Sequence, residues 1–122
     1  MKHHPGFLKL VAAAKRRIRE VTIADVRKQL GRGGRFILID VREDHEWNKG
    51  HIRGAIHLGK GVIERDIERR VPDKRKEIVL YCGGGYRSAL AASTLTRMGY
   101  RNTASMAGGW KAWKRSRKPP SR

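Results

Sequence analysis

The sequence predicts an α/β layered domain with a mainly parallel sheet. Two observations carry that reading. Residues 36–41, apolar except for Asp40, and 78–81 are runs of strand length without polar alternation, as expected of strands buried on both faces. Such strand-like runs alternate along the chain with segments of helical period, the order that builds a sheet of parallel strands. A third observation places the chemistry. Cys82, the only cysteine, directly follows the second run and opens a loop, Gly83-Gly84-Gly85-Tyr86-Arg87-Ser88, ahead of a helical segment. Sites in parallel sheets lie at the carboxyl ends of strands.

Taken in order, Phe7, Val11, Ala14 and Ile18 recur at i, i+4, i+7 and i+11, one stripe of a helix whose outer face carries Lys15, Arg16 and Arg17. Thr22 is placed as an N-cap with Asp25 three residues on, followed by Val26 and Leu30, and the glycines of 31–34 end that helix. The strand at 36–41 carries Asp40 near its end, a carboxylate suited to accepting loop N–H groups. Residues 42–50 read as a polar turn and 55–58 as a shorter strand. Val62, Ile63, Ile67 and Val71 mark a helix with Asp66 and Arg70 paired on its wet side, stopped by Pro72-Asp73. After the strand at 78–81 and the glycine loop, Ala91, Leu95 and Met98 mark a helix that Gly99 caps. Residues 103–106 form a last strand, Gly108-Gly109 a turn, and Trp110 and Trp113 begin a final helix, with both indoles packing in the core or over the site. The organisation expected is a basic amphipathic helix over 1–20, the domain proper over 21–113, and a disordered basic tail over 114–122.

The chain has 122 residues, enough for one hydrophobic core, and 39% of them are hydrophobic. Lys and Arg outnumber Asp and Glu by 29 to 11, a net charge of +18. Residues 1–19 hold six basic residues and no acid, and beyond Glu77 there are nine basic residues and no acid. Such a field attracts anions, from small dianions to nucleic acid, and the basic ends suit weak polyanion contact without sequence readout. A single cysteine excludes an internal disulfide framework and fits a reducing compartment, so a cytoplasmic location is the default expectation. No run approaches the ~20 apolar residues of a membrane span. The charges of the N-terminal segment follow its apolar run, the wrong order for a secretory signal. A regular stripe without Ser reads as a helix of the mature protein rather than as a transit peptide.

Cys82 sits where an anion is favoured. The N-terminus of the following helix offers unpaired N–H groups and a partial positive charge. Glycines let consecutive N–H groups converge on one atom, and Arg87 adds a permanent cation. A thiolate, a persulfide or a bound oxyanion gains from this setting, whereas an inert buried thiol does not require it. The dinucleotide pattern fails, because Ser88 stands at the third glycine position and no acid follows to hold a ribose. A phosphate-binding P-loop fails for want of Lys-Ser or Lys-Thr after the glycines. His3, His4, His45, His51 and His57 share no ligand spacing with the cysteine and read as structural polar groups, so neither a metal nor a cofactor is expected.

Four ordered segments then resemble the rhodanese family, specifically its small single-domain sulfurtransferases: residues 39–43, residues 50–55, residues 81–88, and Gly108-Gly109-Trp110 with Trp113. The match runs from Thr22 to Trp113, with Arg53 where that family usually has Pro. The resemblance implies a rhodanese-like fold with helices on both sides of the parallel sheet, and transfer of sulfane sulfur through a Cys82 persulfide. It casts Gly83, Gly84, Gly85, Tyr86, Arg87 and Ser88 as the substrate-binding loop and Asp40 and Arg42 as structural support. The donor would be thiosulfate, a persulfide or a polysulfide, and the acceptor cyanide or an external thiol, since no second cysteine is present. The chain would be a monomer or homodimer. An accessory module that carries sulfur or docks to RNA or a partner through its basic ends is the alternative. Related phosphatases and arsenate reductases have Cys-x5-Arg loops. Here four residues separate Cys82 from Arg87, a cradle sized for sulfur rather than a tetrahedral oxyanion.

Overall fold

The computed structural model describes residues 2–116. Its elements are α1 (Pro5–Lys15), β1 (Arg19–Val21), α2 (Ile23–Gly31), β2 (Ile37–Asp40), α3 (Asp44–Asn48), β3 (Ile56–His57), α4 (Ile63–Arg70), β4 (Ile78–Tyr81), α5 (Tyr86–Arg97), β5 (Thr103–Met106) and α6 (Gly109–Ser116). Five strands form one sheet in the order β1-β5-β4-β2-β3, every pair parallel. The central β4 is buried along its whole length, which is why its sequence is apolar without alternation.

The period of two along each strand divides the core. Ile39, Val41, Ile78, Leu80 and Cys82 face one side, where Ile63 and Ile67 of α4 and Ala91, Ala92 and Leu95 of α5 cover them. Leu38, Val79, Tyr81 and Met106 face the other side, under Val26 of α2 and Trp113 of α6. The thiol of Cys82 therefore points toward the start of α5. Across the sheet, the indole of Trp113 is buried, as the sequence suggests. The α2 cap is reciprocal: Thr22 Oγ1 accepts the Asp25 N–H at 3.0 Å and Asp25 accepts the Thr22 N–H at 3.1 Å. Helix α5 ends as expected, with Gly99 at φ +103 and the Tyr100 N–H reaching back to the Leu95 carbonyl.

Several expectations need correction. β1 carries no apolar run. It exists because Arg19, Glu20 and Val21 pair with Ala104, Ser105 and Met106 at the sheet edge. The expected turn at 42–50 contains α3, whose first turn is closed by the Glu43 N–H donating to Glu46. Asp66 is not on a wet face paired with Arg70. It is 7% exposed and takes two hydrogen bonds from Arg65, with Arg69 at 3.8 Å. Lys114, Arg115 and Ser116 were expected in the tail, but α6 runs through them, and Arg27 on α2 donates to Ser116 Oγ at 2.9 Å. The remainder of that tail, 117–122, lies outside the described residues. In the first helix, Val11 and Ala14 are buried as the stripe predicts, but the expected helix over 1–20 ends at Lys15, so Ile18 lies beyond it and Arg19 and Glu20 belong to β1; α1 packs on α5 as an outer layer. No described helix is long and apolar enough to cross a membrane.

Candidate active site

Cys82 lies one residue beyond β4, 1% exposed, where the chain leaves the sheet and turns into α5. Its Sγ accepts the N–H of Gly85 at 3.2 Å and the N–H of Ser88 at 3.3 Å, and lies 3.5 Å from Ser88 Oγ. The turn is feasible because Gly85 adopts φ +102, a conformation that L side chains disfavour. The N–H groups that meet the sulfur belong to the N-cap and the first turn of α5, which have no helical carbonyl to receive them. A sulfur anion at this position would meet dipoles already in place.

The loop is clamped from behind by α6. Trp110 N–H donates to the Cys82 carbonyl at 2.7 Å and Lys111 N–H to the Gly83 carbonyl at 3.1 Å. Gly109 makes this approach feasible: at φ +58, a Cβ there would collide with the Cys82 carbonyl oxygen and lie 2.8 Å from the Gly83 carbonyl carbon. The Gly108-Gly109-Trp110 motif is thus the back wall of the cysteine loop.

Arg87 is not a free cation. Its guanidinium forms a two-pronged pair with Glu46 of α3, at 2.8 and 3.1 Å. That pair is the main reason the Glu46 carboxyl is pulled down to about 2. A Cβ on Gly83 would meet the Arg87 guanidinium at 3.1 Å, so the glycine leaves room for the arginine to run beneath the loop. Sequence reasoning missed Glu46, which looked like one acid in a polar turn. The sole available signal was its spacing from Glu43, the three-residue interval of a capping box.

Asp40 and Arg42 form a second, deeper brace. Both are buried; Arg42 Nε and Nη2 bind Asp40 at 2.8–3.1 Å, and Asp40 Oδ1 also accepts the Arg42 N–H at 2.9 Å. The expectation that Asp40 would accept a loop N–H holds. Arg42 also donates to the Gly50 carbonyl at 2.7 Å and lies 5.1 Å from the Trp110 ring. It thereby links the α3 segment to the start of α6. Beside them the Tyr81 hydroxyl accepts the Ile52 N–H at 3.0 Å, and burial pushes its phenol up.

The predicted loop residues divide by what they touch. Gly85 and Ser88 meet the sulfur; Arg87 supports the loop; Gly83 and Gly84 shape it, Gly84 being exposed. Tyr86 is turned outward. Its ring lies 4.9 Å from His3 and 6.1 Å from Phe7, with Lys15 Nζ at 5.2 Å, so α1 holds it from outside. Of the histidines, His57 Nε2 is 2.8 Å from the Arg42 carbonyl and His51 stacks on Trp47.

The same architecture occurs in known proteins. The model of the rhodanese-like domain matches residues 15–116. The Bacillus subtilis protein named "Putative sulfurtransferase YtwF" is 35% identical over 102 residues, 84% of this chain and 96% of that protein. The thiosulfate sulfurtransferase GlpE of Coxiella burnetii is 31% identical over 79 residues, 65% of this chain and 72% of its own length. Among solved structures, RPA3614 from Rhodopseudomonas palustris superposes with a TM-score of 0.83 at 29% identity, covering 99% of this chain and 98% of its own. It is described as a protein of unknown function, "Possible Tyrosine Phosphatase". With this fold, this cysteine loop and a match across residues 15–116, the chain belongs to the rhodanese-like domain family.

Proposed function

We propose that the chain is a sulfurtransferase in which Cys82 carries the transferred sulfur as a persulfide. The observation that supports this most is the convergence of two N–H groups and a hydroxyl on Cys82 Sγ at the start of α5. In the first half-reaction the Cys82 thiolate attacks the outer sulfur of a donor. A Cys82–S bond forms as the donor's S–S bond breaks, and the bonding pair leaves with the departing group, sulfite when the donor is thiosulfate. In the second, an acceptor attacks the terminal sulfur and the Cys82–S pair returns to the cysteine; cyanide leaves as thiocyanate. This is covalent, two-step catalysis. The loop N–H groups stabilise the anion at both stages, and Asp40, Arg42 and Glu46 hold the loop.

The pairing of Arg87 with Glu46 bears on the donor. Glu46 offsets the charge of the one cation in the loop, and the other loop positions are Gly, Tyr and Ser. A dianion such as thiosulfate gains less here than in a loop with a free cation, which favours a persulfide or polysulfide donor. Thiocyanate formation from cyanide tests both statements. Turnover with glutathione persulfide should exceed turnover with thiosulfate at equal concentration, and both should vanish in Cys82→Ser. Equal or faster use of thiosulfate would refute the preference; turnover surviving in Cys82→Ser would refute the mechanism.

A further inference from the structure

Ser105 has a hydroxyl for which the reaction as derived has no use. It lies in β5, 0% exposed, and its Oγ meets Ser88 Oγ at 2.8 Å. Ser88 Oγ is in turn 3.5 Å from Cys82 Sγ. Among the described residues neither hydroxyl has a further partner. A buried O–H requires an acceptor, and for Ser105 that acceptor is Ser88 Oγ. Once Ser105 donates to Ser88, the Ser88 hydrogen has one place left to go, the sulfur. In the thiol form the sulfur hydrogen points at Ser88 Oγ, and one of the two hydroxyl hydrogens, that of Ser88 or that of Ser105, is then left without an acceptor among the three groups. When the thiol proton departs to solvent, every hydrogen is met.

We infer that Ser105 is a positioning residue for the sulfur chemistry: by donating to Ser88 it fixes the Ser88 O–H on Cys82 Sγ and so selects the anionic form of the sulfur. The sulfur then receives three donors, the Gly85 N–H, the Ser88 N–H and the Ser88 O–H. Donation from Ser105 also polarises the Ser88 hydroxyl and strengthens its bond to the anion. In the observed rotamer Ser88 Oγ bonds no helix carbonyl; without Ser105 to hold that rotamer, the Ser88 side chain is free to rotate away from the sulfur to a helix carbonyl, the usual alternative for serine in a helix. The charged groups around the sulfur, Arg87 on α5 and its partner Glu46 on α3, are not in contact with Ser105 and stay in place. The inference rests on the reading of Cys82 as the reacting thiol.

The test is the pH profile of iodoacetamide alkylation, followed by intact mass on the whole chain. Ser105→Ala should slow alkylation of Cys82 at pH 7 by about five- to tenfold, less than the loss of a whole hydrogen bond to a charged group because Ser88 itself remains. The rise of the profile should move to more alkaline pH, with the rate at high pH unchanged. In a Ser88→Ala background the same substitution should add nothing, because the chain is already cut. Ser105→Thr, which keeps the hydroxyl, should restore the profile. Ser105→Gly, which also removes the hydroxyl and adds no second thiol, gives the same reading if Ser105→Ala does not fold. A Ser105→Ala profile equal to wild type overturns the inference and leaves the sulfurtransferase reading intact. An equal loss in the Ser88→Ala background overturns it too, by showing a role in packing alone. A wild-type Cys82 that resists alkylation at every pH overturns the reading on which the inference rests, and the inference with it.

Discussion

Glu46→Gln separates the charge of the Arg87 pair from its shape. The carboxyl is drawn from its ordinary 4.5 to about 2, chiefly by the Arg87 hydrogen bonds. A shift of that size corresponds to about 3 kcal/mol at 1.36 kcal/mol per unit. The two side chains are 33% and 27% exposed, and glutamine keeps one hydrogen bond, so solvent screening reduces the expected loss to about 1–2 kcal/mol. For a domain of this length that is a fall in melting temperature of roughly 3–10 °C. The sign with pH follows from the direction of the shift. A carboxyl whose folded value is depressed contributes stability above its unfolded value and loses it as pH falls through the folded value. The melting difference between wild type and Glu46→Gln should therefore be constant from pH 6 to 8, shrink below the ordinary carboxylate value, and close near pH 2. Calorimetry across that range measures it. A difference that persists unchanged at pH 2, or none at pH 7, would refute the assignment. The same variant leaves Arg87 uncompensated, so KM for thiosulfate should fall about threefold at low ionic strength and recover with added salt.

Other substitutions probe the remaining contacts. Gly109→Ala should destabilise by more than about 2 kcal/mol and abolish sulfur transfer, because its Cβ meets the Cys82 and Gly83 backbone at a positive φ; a normal melting curve with full turnover would contradict that close approach. Arg42→Ala should cost about 3–5 kcal/mol by stranding the buried Asp40 carboxylate, read by denaturant unfolding, and a cost under about 1 kcal/mol would show that Asp40 finds another partner. The four-residue spacing between Cys82 and Arg87 predicts p-nitrophenyl phosphate turnover at background; a substantial rate that disappears in Cys82→Ser would sink the loop-length argument. Removing residues 117–122 should leave small-molecule sulfur transfer unchanged and weaken binding to a polyanion such as heparin in a filter assay. Lost turnover in a folded protein would assign that segment to the site.

The parts of the fold that could be read in advance share a physical cause. β2 and β4 are buried on both faces, so burial itself wrote their sequences, and the Thr22 and Gly99 signals act through local backbone bonds. Cys82, Gly85 and Ser88 were legible for the same reason: strand end, glycine turn and helix start are contiguous in the chain. What the sequence concealed depends on partners far away along it. β1 is a strand because β5 lies beside it, each paired residue being 85 positions further along the chain. Glu46 matters because α3 brings it to Arg87, 41 residues on. Asp66 is buried because Arg65 folds over it, whereas helical spacing pointed to Arg70. Ser105, in a short strand with no apolar period, gave no sign that its hydroxyl meets Ser88.

The central claim is that Cys82 holds a sulfur atom in this loop. It is tested most directly by the intact mass of the protein after incubation with glutathione persulfide or thiosulfate, beside Cys82→Ser. The account predicts a gain of one sulfur atom in the wild type, none in the variant, and its loss on adding cyanide. An unchanged wild-type mass with every donor, or an equal gain in Cys82→Ser, would contradict it.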